Sequence, residues 1–144
     1  MRILVTSDIH GDKEALNRLL SKENYDIHLD AGDSNYSHEE LARRQIISVK
    51  GNTDFFANLP LIRVIENELG KILIVHGHQY SVKYGLSYLY QLGESQRANY
   101  VIYGHTHLQK HEVINGITYL NPGSLKYRWQ YAIITKDEVI LKEL

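Results

Sequence analysis

The sequence predicts an α/β fold, an α+β-like sandwich in which two mixed β-sheets pack together and are flanked by helices. Three observations lead to this class. Five short apolar runs recur along the chain, helical patterns lie between the first of them, and β-hairpins replace the helices in the last third. Strands that alternate with helices favour parallel pairing, whereas hairpins add antiparallel strands, so two packed sheets of mixed direction are expected.

Each of the five apolar runs is typical of a buried strand. Most of their residues are β-branched or aliphatic, and each run is only four or five residues long. The runs cover residues 3–6, 27–31, 46–49, 72–75 and 100–103.

Three helices are expected. Asp12 is suited to cap the first, whose apolar residues lie on one face. These residues are Leu16, Leu19 and Leu20. The segment 37–44 begins with Ser37 and has Glu40 three residues later, which is the pattern of a capping box. The segment 86–97 has a weaker helical pattern.

Hairpins account for most of the remaining chain. Asn115-Gly116, a strong two-residue turn signal, separates residues 110–114 from 117–120. A second hairpin is expected around Lys136-Asp137, and a third joins residues 61–66 to 71–75 near Gly70.

Length and composition indicate one domain covering residues 1–144. Hydrophobic residues make up 43% of the chain and charged residues 23%, as in ordinary globular proteins. The net charge of −1 argues against a generic nucleic-acid or membrane-surface binder. The lack of cysteine excludes disulfide scaffolds, cysteine zinc sites and thiol catalysis. No apolar run approaches a signal or membrane segment in length, so we expect a cytoplasmic protein.

Polar residues follow all five predicted strands, usually beside glycine. They offer carboxylate, amide and imidazole groups, and they are Asp8, His10, Asp33, Asn52, His76, His105 and His107. Ligands of α/β sheets bind at the carboxyl ends of the strands, so these side chains are expected to meet in one crevice. Mixed oxygen and nitrogen ligands suit Mn, Fe, Co, Ni or Zn better than Ca or Mg. Seven such residues are too many for one tetrahedral ion but suit two ions that share a carboxylate.

These motifs resemble the calcineurin-like metallophosphoesterases. The matching fragments are Asp8-Ile9-His10, Gly32-Asp33, Gly51-Asn52-Thr53-Asp54, His76-Gly77-His78 and Gly104-His105-Thr106-His107. Asn121-Pro122-Gly123-Ser124 resembles a motif of the small YfcE-like phosphodiesterase branch of that superfamily. The fragments occur in the family's order and span most of the chain, and the predicted sandwich is of the metallophosphoesterase type.

The resemblance implies a dinuclear centre of two divalent transition-metal ions, with Mn favoured and Ni, Fe, Co or Zn as alternatives. One ion would be held by Asp8, His10 and His107, and the other by Asn52, His76 and His105. Asp33 would bridge them, and Asp33, Asn52 and His105 would also serve catalysis. A metal-bridging hydroxide would then attack phosphorus without a covalent enzyme intermediate. Two carboxylates, two divalent ions and one hydroxide leave a charge of about +1, which suits a phosphodiester monoanion.

One position departs from the family pattern. Many members carry a histidine after the Gly-Asn pair, where it acts beside the leaving group, but this chain has Thr53. A threonine hydroxyl cannot act as an acid near neutral pH. Asp54 and His78 are the candidates for that role, and each has a lower claim than the metal ligands.

Several residues have purely structural interpretations. Asp8 alone could cap the first helix, and His28, inside a predicted strand, is expected to be a hydrogen-bonded core residue. His38 and His111 are expected to face solvent. Phe55-Phe56 could line the mouth of a substrate site or pack in the core; the sequence favours neither.

The favoured function is a metal-dependent phosphodiesterase acting on a small-molecule phosphoester. Nucleic acid is considered only as a substrate, no membrane partner is expected, and a homo-oligomer is an open possibility. Two alternatives remain. One is a phosphomonoesterase that uses the same site, and the other is a non-catalytic scaffold of the same fold, as in the retromer subunit that resembles this family.

Overall fold

The computed structural model describes residues 1–144 and contains two five-stranded sheets. The strands are β1 (Arg2–Thr6), β2 (Ile27–Asp30), β3 (Ile46–Ser48), β4 (Ile62–Asn67), β5 (Gly70–Val75), β6 (Tyr100–Ile102), β7 (Lys110–Ile114), β8 (Ile117–Asn121), β9 (Gln130–Thr135) and β10 (Val139–Glu143). The first sheet has the order β10-β9-β1-β2-β3, and the second has the order β4-β5-β6-β8-β7. The predicted sandwich is therefore confirmed, and all five predicted buried strands form with small shifts at their ends.

Both sheets are mixed. Strands β1, β2 and β3 are parallel, and β9 pairs antiparallel with β1. In the second sheet β5, β6 and β8 are parallel, and β4 and β7 are antiparallel edge strands. The three predicted hairpins are the pairs β4–β5, β7–β8 and β9–β10. Asn115 and Gly116 both have positive φ, as a two-residue hairpin turn requires.

Four α-helices flank the sheets: α1 (Lys13–Lys22), α2 (His38–Arg43), α3 (Ser87–Ser95) and α4 (Leu125–Arg128). Asp12 caps α1 by accepting the backbone N–H of Ala15, and Ser37 caps α2 by accepting that of Glu40. The expected capping box is only half formed, because the Glu40 carboxylate pairs with Arg43 and Arg44 instead. The pattern missed α4 and two short 3₁₀ turns, His78–Tyr80 and Val82–Tyr84. None of the helices has the length and hydropathy of a membrane-spanning segment.

The main core lies between the two sheets and is built from alternating strand positions. Ile3 and Val5 belong to this core, whereas Leu4 between them packs in a second cluster with Leu16 and Leu19 of α1. The core between the sheets also contains residues of the second sheet, including Ile72 and Ile74 of β5. Side chains alternate between the faces of a strand, so burial on both faces produces the continuous apolar runs seen in the sequence.

Candidate metal centre

The carboxyl ends of five strands meet at one edge of the sandwich. Backbone hydrogen bonds continue past the strands and align the loops there: Asp8 N–H donates to the Gly32 carbonyl at 2.9 Å, and His10 N–H donates to that of Asp33 at 2.9 Å. Across the sheets, His105 N–H donates to Asp8 Oδ2 at 3.2 Å. The seven residues predicted to converge therefore lie around a single crevice.

The first group of possible ligands contains Asp8, His10 and His107. Nε2 of His107 lies 3.2 Å from Asp8 Oδ1, and Nε2 of His10 lies 3.7 Å from the same oxygen. Their three ligand atoms lie within 4.8 Å of one another, close enough to hold one ion.

The second group contains Asp8, Asp33 and His76, which also lie within 4.8 Å of one another. Nε2 of His76 is 3.1 Å from Asp33 Oδ2 and 3.0 Å from the amide oxygen of Asn52. The ring centroid of His105 is 5.1 Å from that of His76. Asp33 Oδ2 also lies 4.0 Å from His10 Nε2, so this carboxylate lies between the two groups.

Hydrogen bonds orient two of the imidazoles. His76 donates from Nδ1 to the Ala31 carbonyl at 2.7 Å, and His10 donates from Nδ1 to the side-chain oxygen of Asn35 at 3.2 Å. A donor at Nδ1 leaves the Nε2 lone pair of the neutral ring facing the crevice, which is how histidine ligands are usually oriented.

Most of the converging residues have strained backbones. Asp8, His10, Asp33, His105 and His107 all have φ between 46° and 71°, a region that residues other than glycine seldom adopt. Such conformations persist only where the surrounding structure holds them, and they concentrate at functional sites.

Two glycines allow the backbone to approach the carboxylates. A Cβ on Gly51 would lie 2.1 Å from Asp33 Oδ1, and a Cβ on Gly104 would lie 2.0 Å from Ser7 Oγ. Ser7 in turn donates to Asp8 Oδ2 at 2.6 Å. Any larger residue at either position would displace a carboxylate of the crevice.

Asp54 joins the loops around Asp33. It is buried, and its carboxylate accepts the backbone N–H groups of Gly51 at 2.8 Å, Asp33 at 2.9 Å and Asn35 at 3.0 Å. The N–H of Thr53 donates to Asp33 Oδ1 at 2.9 Å. The fragment Gly51-Asn52-Thr53-Asp54 thus positions Asp33 through backbone contacts.

The electrostatics of the crevice favour ionised acids. Burial opposes ionisation of Asp8, but the adjacent imidazoles of His10 and His107 outweigh it and hold the pKa of Asp8 far below its usual value. Burial likewise opposes the ionisation of Asp33, whose pKa is lowered by His76. Burial would lower the pKa of His76, yet Asp33 and Asp8 raise it.

The donor set fits a metal ion. Asp8 Oδ1 and His10 Nε2 are buried and accept or donate no hydrogen bond. Carboxylate oxygens and imidazole nitrogens with free electron pairs repel one another at these distances unless a cation lies between them. Protons can serve that purpose, and so can divalent ions that bind carboxylate and imidazole.

His78 and His105 carry little positive charge. Burial and the neighbouring His76 lower the pKa of His105 to about 4, and burial also lowers the pKa of His78. The His78 ring centroid is 5.5 Å from that of His76 and 6.1 Å from that of His105, and its Nδ1 is buried without a partner. His78 therefore lies beside the crevice in surroundings that disfavour its charged form.

The Asn121-Pro122-Gly123-Ser124 turn lies against the crevice and leads to a residue that sequence reasoning missed. Ser124 donates to the Asp8 carbonyl at 2.9 Å and caps α4 by accepting the N–H of Tyr127. The ring of Tyr127 stacks on His107 with centroids 5.2 Å apart and lies 5.4 Å from His10. The only sequence signal for Tyr127 was its position three residues after Ser124, a residue suited to cap a helix.

The residues that the sequence analysis interpreted as structural lie outside the crevice, apart from Asp8. His28 is buried and pairs with Thr6 at 2.8 Å, while His38 and His111 are exposed, as expected. Asp8 does not cap α1, because Asp12 does. Phe55 and Phe56 are exposed, so packing of this pair in the core is wrong.

Comparison with known proteins assigns the family. A sequence model described as the calcineurin-like phosphoesterase superfamily domain matches residues 1–138. The chain belongs to this superfamily. It is 31% identical over 144 residues to the probable metallophosphoesterase YsnB of Bacillus subtilis, covering 95% of this chain and 85% of YsnB.

Solved structures share the fold. A predicted phosphoesterase from Streptococcus pneumoniae is 25% identical, with a TM-score of 0.83 over 98% of this chain and 97% of that one. The phosphoesterase YfcE of E. coli gives 0.70 at 22% identity, covering 96% and 91%. Vps29 of Entamoeba histolytica, complexed with Zn²⁺, gives 0.75 at 24% identity, covering 96% and 89%. The resemblance to the metallophosphoesterases is confirmed, and YfcE shares the fold.

Proposed function

We propose that this phosphoesterase-family protein is a phosphodiesterase with a dinuclear centre of divalent transition-metal ions, Mn²⁺ foremost. Asp8, His10 and His107 would hold one ion. Asn52, His76 and His105 would hold the other, and Asp33 would bridge them. The observation that carries this proposal is the position of Asp33 Oδ2, which lies 3.1 Å from Nε2 of His76 and 4.0 Å from Nε2 of His10.

Bound divalent ions would supply an activated water at neutral pH and would stabilise negative charge on the phosphoryl group. The chain supplies the geometry. The carbonyl of Ala31 and the side chain of Asn35 hold the Nε2 atoms of His76 and His10 toward the crevice. His105, with a pKa of about 4, stays a neutral ligand, and the exposed Asn52 side chain stands at the entrance.

The proton for the leaving group needs a donor other than Thr53. Asp54 is poorly suited, because its oxygens accept three backbone N–H groups, and we assign it a positioning role. His78 remains as the candidate, because its half-buried ring lies next to His76 and His105, and the protonated form of the ring would be the donor.

A diester is favoured over a monoester on charge. Two carboxylates against two divalent ions leave a net charge of about +2, and a hydroxide would reduce it to about +1, which matches a monoanionic diester. We also propose that residues 1–144 form a single domain, because residues of both sheets form the same central core.

Vps29 shares the fold, which leaves a second candidate function, a non-catalytic scaffold. The complete set of seven carboxylate, amide and imidazole residues around the crevice favours the enzyme.

The test combines metal analysis with paired substrates. Protein purified without chelator or histidine tag should contain about two equivalents of transition metal. With added Mn²⁺ it should hydrolyse bis(4-nitrophenyl) phosphate faster than 4-nitrophenyl phosphate. Faster hydrolysis of the monoester would replace the diesterase by a phosphomonoesterase. No hydrolysis of either ester with Mn²⁺, Ni²⁺, Fe²⁺, Co²⁺ or Zn²⁺ would overturn the enzyme and favour the scaffold.

A further inference from the structure

Two adjacent aromatic side chains stand in solvent beside the candidate metal centre. Phe55 is 74% exposed, and Phe56 is as exposed as in an unfolded chain. They directly follow Asn52-Thr53-Asp54, the loop that contacts Asp33. Exposed apolar patches beside a polar site frequently mark ligand-binding surfaces.

The two rings line a cavity of about 230 Å³. Tyr36, Thr53 and Ala57 contribute to the same walls, and half of the lining residues are apolar. Cavities that enclose a complete drug-sized ligand are usually larger, from about 300 to 1,000 Å³. This cavity is therefore matched to part of a molecule, of the size of one planar ring.

The loop that carries the rings is held in place before any ligand binds. The Asp54 side chain accepts backbone N–H groups from Gly51, Asp33 and Asn35, and the Asp54 carbonyl accepts the N–H of the buried Ala57. Because the backbone is anchored on both sides of the two rings, binding there costs less conformational entropy than ordering an unanchored loop would.

The cavity adjoins the centre through three of its lining residues, since Asn35 accepts from His10 Nδ1 and Asp54 accepts the N–H of Asp33. Thr53 forms part of the cavity wall, and its N–H donates to Oδ1 of Asp33 at 2.9 Å. An ester substituent of a phosphoryl group bound at the centre would therefore lie next to the cavity wall.

From this arrangement we infer that the cavity of Phe55 and Phe56 binds an aromatic ester substituent of the substrate. The inference rests on the proposed function and narrows its substrate class to phosphoesters that carry an aryl or heteroaryl ring. Phe56 acts here as a specificity-determining residue: it contacts the ring and leaves the reacting atoms to the metal ligands. Aromatic pairs are stabilised in offset or edge-to-face arrangements, which two adjacent exposed phenyl rings can offer.

Binding of two unreactive analogues tests the inference without turnover. Isothermal titration calorimetry compares phenylphosphonate with methylphosphonate on the Mn²⁺-loaded protein. Wild-type protein should bind phenylphosphonate at least about 5-fold more tightly. Phe56→Ala should reduce this preference roughly 2- to 10-fold and leave methylphosphonate binding unchanged.

Tyr88→Ala is the matched control, because Tyr88 is an exposed aromatic residue of α3 that does not line the cavity. This variant should keep the full preference for phenylphosphonate. Equal loss in both variants, or equal affinity of the wild-type protein for the two phosphonates, would overturn the inference. Sedimentation analysis tests the other occupant: if Phe56→Ala dissociates a dimer and leaves both phosphonate affinities unchanged, the rings form an interface and the inference is wrong.

The inference and the proposed function fail in different ways. Metal-dependent hydrolysis of bis(4-nitrophenyl) phosphate together with no phenyl preference would overturn the aromatic site alone. No metal-dependent hydrolysis and no binding of either phosphonate would overturn the proposed function, and the aromatic site with it.

Discussion

The imidazole of His76 links the two sheets. His76 follows β5 of the second sheet, and its Nδ1 donates to the carbonyl of Ala31, which follows β2 of the first sheet, at 2.7 Å. The ring's other nitrogen lies 3.1 Å from Asp33 Oδ2. One side chain thus joins the halves of the sandwich and also presents a nitrogen to the candidate metal centre.

His76→Ala is expected to affect stability and metal content together. The variant leaves the Ala31 carbonyl without its donor, which should lower the free energy of unfolding by about 1–3 kcal/mol. Urea unfolding in EDTA measures this term apart from metal binding, and elemental analysis measures the bound metal. His78→Ala is the comparison, because His78 Nδ1 has no partner to lose. Equal losses of metal in the two variants would contradict the assignment of His76 as a ligand.

His107→Ala should lower the metal content toward one equivalent, because Nε2 of His107 lies 3.2 Å from Asp8 Oδ1. His111→Ala is a matched control, because His111 is exposed on β7. Elemental analysis and hydrolysis of bis(4-nitrophenyl) phosphate should show a large loss in the first variant and none in the second. Similar behaviour of both variants would undo the assignment of His107.

Asp54→Asn separates positioning from acid catalysis. The amide keeps one acceptor oxygen for the three backbone donors, so stability should fall by roughly 1–3 kcal/mol and Asp33 should be less well held. We expect a lower kcat with the shape of the pH–rate profile retained. Unchanged stability together with loss of the alkaline limb of that profile would show instead that Asp54 donates a proton.

Two buried groups that bond to Thr6 should make stability depend on pH in opposite directions. Burial raises the pKa of Asp30 to about 7, and burial lowers the pKa of His28 to about 3. Between pH 4 and 7 the folded state holds a proton on Asp30 that the unfolded chain releases, so this term weakens folding as pH rises. Between pH 3 and 6.5 the unfolded chain holds a proton on His28 that the folded state excludes, so this term strengthens folding as pH rises.

Substitutions should separate the contributions of Asp30 and His28 to the pH dependence of stability. The free energy of unfolding of Asp30→Asn, relative to wild type, should rise with pH from 4 to 7, and that of His28→Gln should fall over the same range. The slope for one proton is at most about 1.4 kcal/mol per pH unit. Urea titrations in EDTA at several pH values measure it. A flat difference curve for Asp30→Asn would mean that Asp30 is ionised throughout.

Tyr127 should support the metal site through its ring. Tyr127→Phe keeps the stack on His107 and should bind Mn²⁺ as wild type does. Tyr127→Ala removes about 0.5–1.5 kcal/mol of aromatic contact and should weaken Mn²⁺ binding roughly 2- to 10-fold. Calorimetric titration with Mn²⁺ measures both variants. If Tyr127→Phe and Tyr127→Ala weaken Mn²⁺ binding equally, the hydroxyl and not the ring supports the metal site.

Local chemistry explains what could be predicted. Strands buried on both faces are continuous apolar runs in the sequence. Asn115-Gly116 is suited to the positive φ of a tight hairpin turn. Both kinds of element could therefore be predicted from the sequence. The four-residue helix α4 has no apolar periodicity, and it forms because Ser124 caps it and bonds to the Asp8 loop. Tyr127 was missed for the same reason.

The sequence by itself determined the strands and hairpins of the sandwich, the order of its motifs and the seven polar residues that follow its strands, since each depends on near neighbours in the chain. Only the tertiary structure decided the hydrogen-bond partners of His10 and His76, the positioning role of Asp54 and the exposure of Phe55 and Phe56. These properties depend on distances between atoms of segments far apart in sequence, such as His76 Nδ1 and the carbonyl of Ala31. Hydrophobic periodicity carries no record of such pairings, because hydrogen bonds act through geometry that exists only after the sheets have packed.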